Sequence, residues 1–490
     1  MNLKILYITL GILSTELLAA QNQTMEMSLE QVVKIARLES PDARTARHSF
    51  RSAYWNYKYY RANYLPSLSL SSDPNLNRAI NKITMGDGSV KFVEQNLLNT
   101  DLTLNLSQNI PWTGGSLFLE TSAQRMDLFS EHKYSWQTSP IMIGYRQSLF
   151  GYNDLKWDKR IEPVRYQEAK KNYVETLELV SANAINKFFA LATAQSNYDI
   201  ASFNYANADT LYRYAQGRYN IGTITENEML QLELNRLTEE TNRMNARIEM
   251  DNCMQELRSY LGIQEEREIR VRVSSRIPNF SINLNEALAL AYENSPDIQT
   301  MKRRKLESES AVARARANAG LKADIYLRFG LTQTADKLPE AYRNLLDQQY
   351  VSLSISLPIL DWGRGKGQVR VARSNRDLVY TQVEQSRTDF ELNVRKLVKQ
   401  FNLQTQRVRI AARTDETAQR RNEVARKLYI LGKSTILDLN ASISEKDSAR
   451  RNYVSALYNY WSLYYTLRSM TLYDFESNKL LTEDYNLLIE

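Results

Sequence analysis

The chain has 490 residues, 43% of them hydrophobic and 24% charged, with Gly 16 and Pro 10. So few helix breakers over such a length predict long uninterrupted helices. Lys+Arg 63 against Asp+Glu 56 gives a formal charge of +7, mostly a solvated surface; nucleic-acid binding needs a concentrated basic patch, for which Arg364–Arg376 is the densest candidate. A single cysteine, Cys253, excludes an internal disulfide.

In chain order, residues 1–20 read as a secretory signal peptide. Lys4 precedes the apolar run Ile5–Leu13, and Leu18-Ala19-Ala20 offers small residues for cleavage after Ala20. Beyond it no run of ~20 apolar residues predicts a transmembrane helix. No cysteine follows the signal, so a lipid anchor there is not expected. Residues 28–63 read as one helix, with Ser28 and Gln31 spaced as a capping box. Tyr54, Trp55, Tyr57, Tyr59 and Tyr60 crowd its end.

Over about 65–150 the period changes to two. Leu102, Leu104 and Leu106 alternate with polar residues, as do Ile141, Ile143 and Tyr145. Strands with one apolar and one polar face suit a soluble sandwich or a transmembrane barrel. Trp112, Trp136, Tyr145, Tyr152 and Trp362 near strand ends suit the aromatic girdle of a barrel. A long helix is predicted over about 155–216, spanning on the order of 90 Å at ~1.5 Å per residue. A turn at about 217–224 follows, then a helix over about 225–262. Cys253 falls in that helix and reads as a small buried hydrophobe.

Residues 263–281 form a linker in which Ile269, Val271 and Val273 alternate as a short strand. The order then repeats: a helix over about 282–318, strands over about 322–360 including Val351, Leu353, Ile355 and Leu357, and a long helix over about 364–428. A turn at about 428–434, a helix over about 435–470 and a tail over 471–490 complete it. The basic run Arg364–Arg376 reads as a solvated helix face or a membrane-edge contact. Phe390, Val394, Leu397 and Phe401 form one narrow helical stripe, and Leu177, Ala184, Phe188 and Leu191 another. Narrow stripes suit helices packed side by side with water on both sides, or a solid coiled coil.

The repetition is visible in residues. Leu29–Ser40-Pro41-Asp42 returns as Leu284–Ser295-Pro296-Asp297, an offset of 284 − 29 = 255. Tyr219-Asn-Ile-Gly222 returns as Tyr429-Ile-Leu-Gly432, an offset of 429 − 219 = 210. The chain is two halves, 21–262 and 282–470, the first carrying an insertion of 255 − 210 = 45 residues. Leu117-Phe-Leu119-Glu-Thr121 after Pro111-Trp-Thr-Gly-Gly115 predicts that it is an additional hairpin.

With these residues in that order, the chain resembles the outer membrane efflux protein (TolC-like) family over nearly its whole mature length. Ser-Pro-Asp at 40–42 and 295–297 is similar to the family's end of the first helix. Ser356-Leu-Pro358-Ile-Leu-Asp361-Trp362-Gly363 is similar to its strand-to-helix junction, with a degraded copy at Gln147–Asn153. Tyr219–Gly222 and Tyr429–Gly432 are similar to its tip turns. The resemblance implies an α + β membrane protein: a long α-helical periplasmic barrel plus a transmembrane β-barrel shared by a homotrimer, with two repeats and usually four strands per chain.

It further implies an exit duct of a tripartite efflux pump or type I secretion system, in the outer membrane of a Gram-negative bacterium. A periplasmic adaptor, an inner-membrane pump and outer-membrane lipid would be its partners. A stand-alone porin or an adhesin-like coiled coil are the alternatives; long helices count against the first and alternating strands against the second. Glu228 and Asp438, equivalent under the offset of 210, fall where the family has acidic residues lining its periplasmic gate. Ala441 replaces a second acid. A carboxylate at a helix start is also favoured simply by the helix dipole. Tyr219, Gly222, Tyr429 and Gly432 fall at the tips that contact the adaptor, although the glycines also suit a plain turn. No catalytic residue, cofactor or metal set is expected, since His48 and His132 are the only histidines and no nucleotide-binding or nucleophile motif occurs.

Overall fold

A computed structural model describes residues 25–265, 267–431 and 433–489. The side chains at 83, 93, 429, 430 and 436 lie outside that description, as do the signal peptide over 1–20 and Gly432. The elements in order are β1 (Met25–Ser28), α1 (Leu29–Glu39), α2 (Pro41–Ala62), β2 (Ser67–Ser71), β3 (Asn75–Thr84), β4 (Val90–Ile110), β5 (Gly115–Leu128), β6 (Lys133–Ser148), α3 (Asp154–Asn220), α4 (Glu226–Leu261) and β7 (Ile269–Arg272). The second half adds α5 (Leu284–Asn294), α6 (Pro296–Ala319), β8 (Lys322–Ala335), β9 (Leu346–Ser356), α7 (Arg364–Ile430), α8 (Ile436–Thr471), β10 (Tyr473–Asp474) and β11 (Lys479–Leu480). α3 and α7 are each 67 residues long, and α4 and α8 each 36. Their bounds repeat at one offset, 364 − 154 = 471 − 261 = 210.

The first helix, expected over 28–63 as one piece, is two. Proline lacks an N–H and pushes the residue before it out of the helical region. Ser40 is accordingly extended, with φ −60° and ψ 149°. Its own N–H closes α1 by donating to Ala36 O at 3.2 Å, and its Oγ opens α2 by accepting from Ala43 N at 3.1 Å. Pro41 sits at the first helical position, where a missing donor costs nothing. Ser295 and Pro296 do the same between α5 and α6, with Ser295 N donating to Ala291 O at 3.0 Å and Ser295 Oγ accepting from Asp297 N at 3.2 Å.

The chain divides into two units. One comprises residues up to 51, 168–298 and 387–490. In it β1 pairs in parallel with β7, Met25 opposite Ile269. The expected stripe of Leu177, Ala184, Phe188 and Leu191 is buried throughout. In the other stripe Val398 takes the buried place expected of Leu397, between Val394 and Phe401. Phe401 packs, tilted, against Tyr460 and Tyr464 of α8, with ring centroids 5.2 and 5.8 Å apart. Glu178 is fully buried, and Arg37 of α1 and Arg468 of α8 both pair with it, Arg468 Nε at 2.8 Å. Arg37 also reaches Glu483 at 2.7 Å and Arg468 reaches Asp474 at 3.4 Å, so the tail is tied to the same cluster. Removing one partner of such a buried pair strands the other charge, typically at ~3–5 kcal/mol. Cys253 is half-buried rather than in the core, and its thiol lies 3.7 Å from Glu249 Oε1, one helical turn away.

The other unit comprises 52–167 and 299–386 and is built on one antiparallel sheet. Its order is β2-β4-β5-β6-β8-β9, with β3 continuing β2 along the edge of β4. β2 pairs with Thr103–Ser107 and β3 with Val90–Asn99, so the two fill one strand position broken at 72–74. The 45 extra residues of the first half thus belong to a second hairpin: the first half supplies two and the second half one. The registers align Leu68, Leu106, Leu119, Ile143 and Phe329 in one row on one face. The next row over, Leu117, Tyr145, Leu327 and Val351, is apolar too. On the opposite face Phe118 covers Gly144 and stacks on Tyr326, while Arg328 pairs with Glu120 at 3.2 Å. A β-carbon at Gly144 would strike the Phe118 ring, so glycine there is required by packing.

Candidate gate at the helical turns

The predicted site residues lie at the α3–α4 and α7–α8 turns, all in the first unit. At the first, Gly222 has φ +73° and its N–H donates to Tyr219 O at 2.8 Å. Thr223 N then donates to Arg218 O at 2.9 Å, closing the orphaned carbonyls of α3. A β-carbon at Gly222 would meet nothing within 4 Å, so glycine is required there by backbone conformation and not by space. Tyr219 is exposed at the end of α3. The second turn places Leu431 and Lys433 likewise, with Lys433 N donating to Leu428 O at 2.9 Å. Gly432 and the Tyr429 ring are outside the described residues.

Glu228 and Asp438 occupy the same position in two capping boxes. Glu228 N donates to Thr225 Oγ1 at 3.3 Å, and Thr225 N donates back to Glu228 Oε2 at 3.1 Å. Asp438 N donates to Thr435 Oγ1 at 3.1 Å. Its Oδ2 accepts from Thr435 Oγ1 at 2.7 Å, Thr435 N at 3.3 Å and Ser434 Oγ at 3.3 Å. The Thr435 hydroxyl, with the Thr435 backbone and Ser434 behind it, holds the exposed Asp438 carboxyl below the usual carboxylate range. Each acid is therefore pinned to its own helix start and points no further than its own turn requires. The cap accounts for an acid at these positions without any gate, and it also fixes where that acid's charge sits.

Two features were not anticipated. Tyr198, Tyr205 and Tyr212, seven residues apart on α3, carry Arg247, Arg243 and Arg236 of α4 over their rings at 5.6, 4.2 and 5.6 Å. Tyr219 is the next tyrosine in that heptad series, which is the sequence signal for the ladder. In the second half, Asp415 and Asn422 lie 210 residues after Tyr205 and Tyr212. They pair instead with Arg450 of α8 at 3.2 Å and Ser442 Oγ at 3.0 Å. Beside the second turn, a cavity of 450 Å³ is lined by Tyr214 and Arg218 of α3, Arg426 of α7, and Ser434, Leu439 and Ile443 near the start of α8.

Among the described residues no cluster of His, Cys, Asp or Glu could hold a metal ion, and no helix is long and apolar enough to cross a membrane. Residues 287–471 match the family model of the outer membrane efflux protein. The fold is similar to that of the Campylobacter jejuni CmeC outer membrane channel, at 16% identity and a TM-score of 0.66 over 94% of this chain and 88% of that one. It is also similar to the outer membrane protein VceC of Vibrio cholerae, at 14% identity and a TM-score of 0.63 over 90% and 95%. The Neisseria gonorrhoeae MtrE outer membrane channel matches at 14% identity and a TM-score of 0.60 over 93% and 90%. No curated protein matches the sequence.

Proposed function

We propose that this chain, a relative of the outer membrane efflux proteins by its 287–471 domain and by its fold, is the outer-membrane exit duct of a tripartite efflux or type I secretion system. Three copies would share one β-barrel in the outer membrane of a Gram-negative cell and one helical tunnel in the periplasm. The observation that carries this reading is the sheet. Its apolar rows are exposed on one face and its charged and aromatic side chains are packed on the other, in a chain whose 67-residue helices are duplicated. An exposed apolar band of this kind suits lipid, and lipid leaves no backbone group unpaired, so the sheet must close with others.

The duct itself performs no chemistry; an inner-membrane pump would supply the energy, and a periplasmic adaptor would dock at the turns around Tyr219, Gly222, Tyr429 and Gly432. Glu228 and Asp438 would form two rings of three carboxylates at the periplasmic end, favouring cations and binding multivalent ones. In planar bilayers the full chain should form cation-selective channels, and Asp438→Asn should lower that selectivity severalfold. Channels of unchanged selectivity would remove the gate assignment; no channels at all would remove the duct.

A further inference from the structure

The sheet ends in two open edges, β9 on one side and β2 with its β3 continuation on the other. They differ from the edges of soluble sheets, which are blunted by Lys, Pro, bulges or short irregular strands. β9 reads LDQQYVSLSIS, with no lysine, no proline and no bulge against its neighbour; β2 reads SLSLS with none of these either, and only its β3 continuation, past the break at Pro74, carries Arg78 and Lys82. The bulges lie inside the sheet, at Glu120/Ser122 and Thr138/Ile141, where they bend it. Exposure along the apolar row rises toward the open side: Leu106 and Leu119 are 39% and 41% exposed, but Leu68 at the β2 edge is 65%. Leu353 and Ile355 at the β9 edge are 57% and 64% exposed. Both edges are short of one flanking strand.

Every neighbouring pair in the sheet is antiparallel, and the sheet has six strand positions, β2 and β3 sharing one. An even number makes β9 run opposite to β2. β9 of one copy therefore meets β2 of the next with the alternation intact, whatever the number of copies. We infer that all six positions of each chain lie in the barrel wall, β9 of one copy pairing with β2 of another. With the three copies of the proposed duct, on which the total rests, the wall has 3 × 6 = 18 strands. At a strand spacing of ~4.8 Å and a tilt of ~40°, its backbone diameter is about 36 Å. Four positions per chain would give about 24 Å on the same spacing and tilt. A wall of ~16–18 strands encloses an open aqueous channel. The outer-membrane segment is then no size filter, and selection among solutes falls to the helical part of the duct.

Two measurements on one detergent-extracted preparation of the full chain test this. Native mass spectrometry counts copies, and single-particle imaging counts strands in the wall. The expected result is three copies and 18 strands. Twelve strands around three copies, with a hairpin outside the wall, would overturn the inference and leave the duct standing. Two copies closing 12 strands would refute the trimer and uphold six strands per chain. Strands from a different protein between β9 and β2 would overturn it outright.

Discussion

Glu175 of α3 is half-buried, and burial, with the Asp297 carboxylate adding to it, pushes its carboxyl up to about 7. An unfolded glutamate titrates near ~4.3, so between roughly pH 4.3 and 7 the folded chain holds more protons than the unfolded one. Stability must fall as pH rises through that window. Glu175→Gln is expected to leave the melting temperature unchanged at pH 4 and to raise it at pH 8, by on the order of 1–3 kcal/mol of unfolding free energy. Scanning calorimetry at the two pH values checks this, and an equal shift at both would show that packing, not charge, responds. Local residue roles were the readable ones. The Ser28–Gln31 capping box is present in both directions, at 3.3 and 2.9 Å. The Glu178 cluster was not readable, because its arginines lie 141 and 290 residues away in the chain and nothing in the local sequence marks the partnership. Cys253 was misread because a helix period says which face a residue is on, not how deeply its neighbours cover it.

Within the elements, the long helices were legible but a break inside a helical run was not. Ser40-Pro41 and Ser295-Pro296 each end one helix and start another, which a reading that counts apolar periods joins into one. The heptad tyrosines were equally visible, yet their partners on α4 are arginines, which the same periods class as solvent-facing. The α3–α4 turn depends on backbone conformation alone, since Gly222 has φ +73° and open space around it. Gly222→Ala should cost about 1 kcal/mol through the left-handed conformation. Amide hydrogen exchange over residues 218–225 should quicken about fivefold, with channel conductance unchanged. Exchange at the wild-type rate would mean that the turn relaxes into another conformation without cost.

Over the whole molecule, the duplication was legible because both halves keep the same helix bounds at an offset of 210 residues. The strand positions were not, since β2 and β3 look like two short strands and only pairing with one 21-residue β4 makes them a single place in the sheet. The full chain is expected to fractionate with the outer membrane and to migrate as an oligomer until heated. Monomer in the periplasmic extract would count against a shared barrel. The pairing of β1 with β7 bears on timing. Met25 lies opposite Ile269, 269 − 25 = 244 residues later. Closing so long a loop is slow, and contacts of such high sequence separation form late. If the chain crosses a membrane N-terminus first, β1 emerges with no partner and waits, unpaired, until the 244 residues leading to its partner in β7 have followed. β1 thus arrives long before it can fold, and a holding factor that shields extended chain would act on it in the interval.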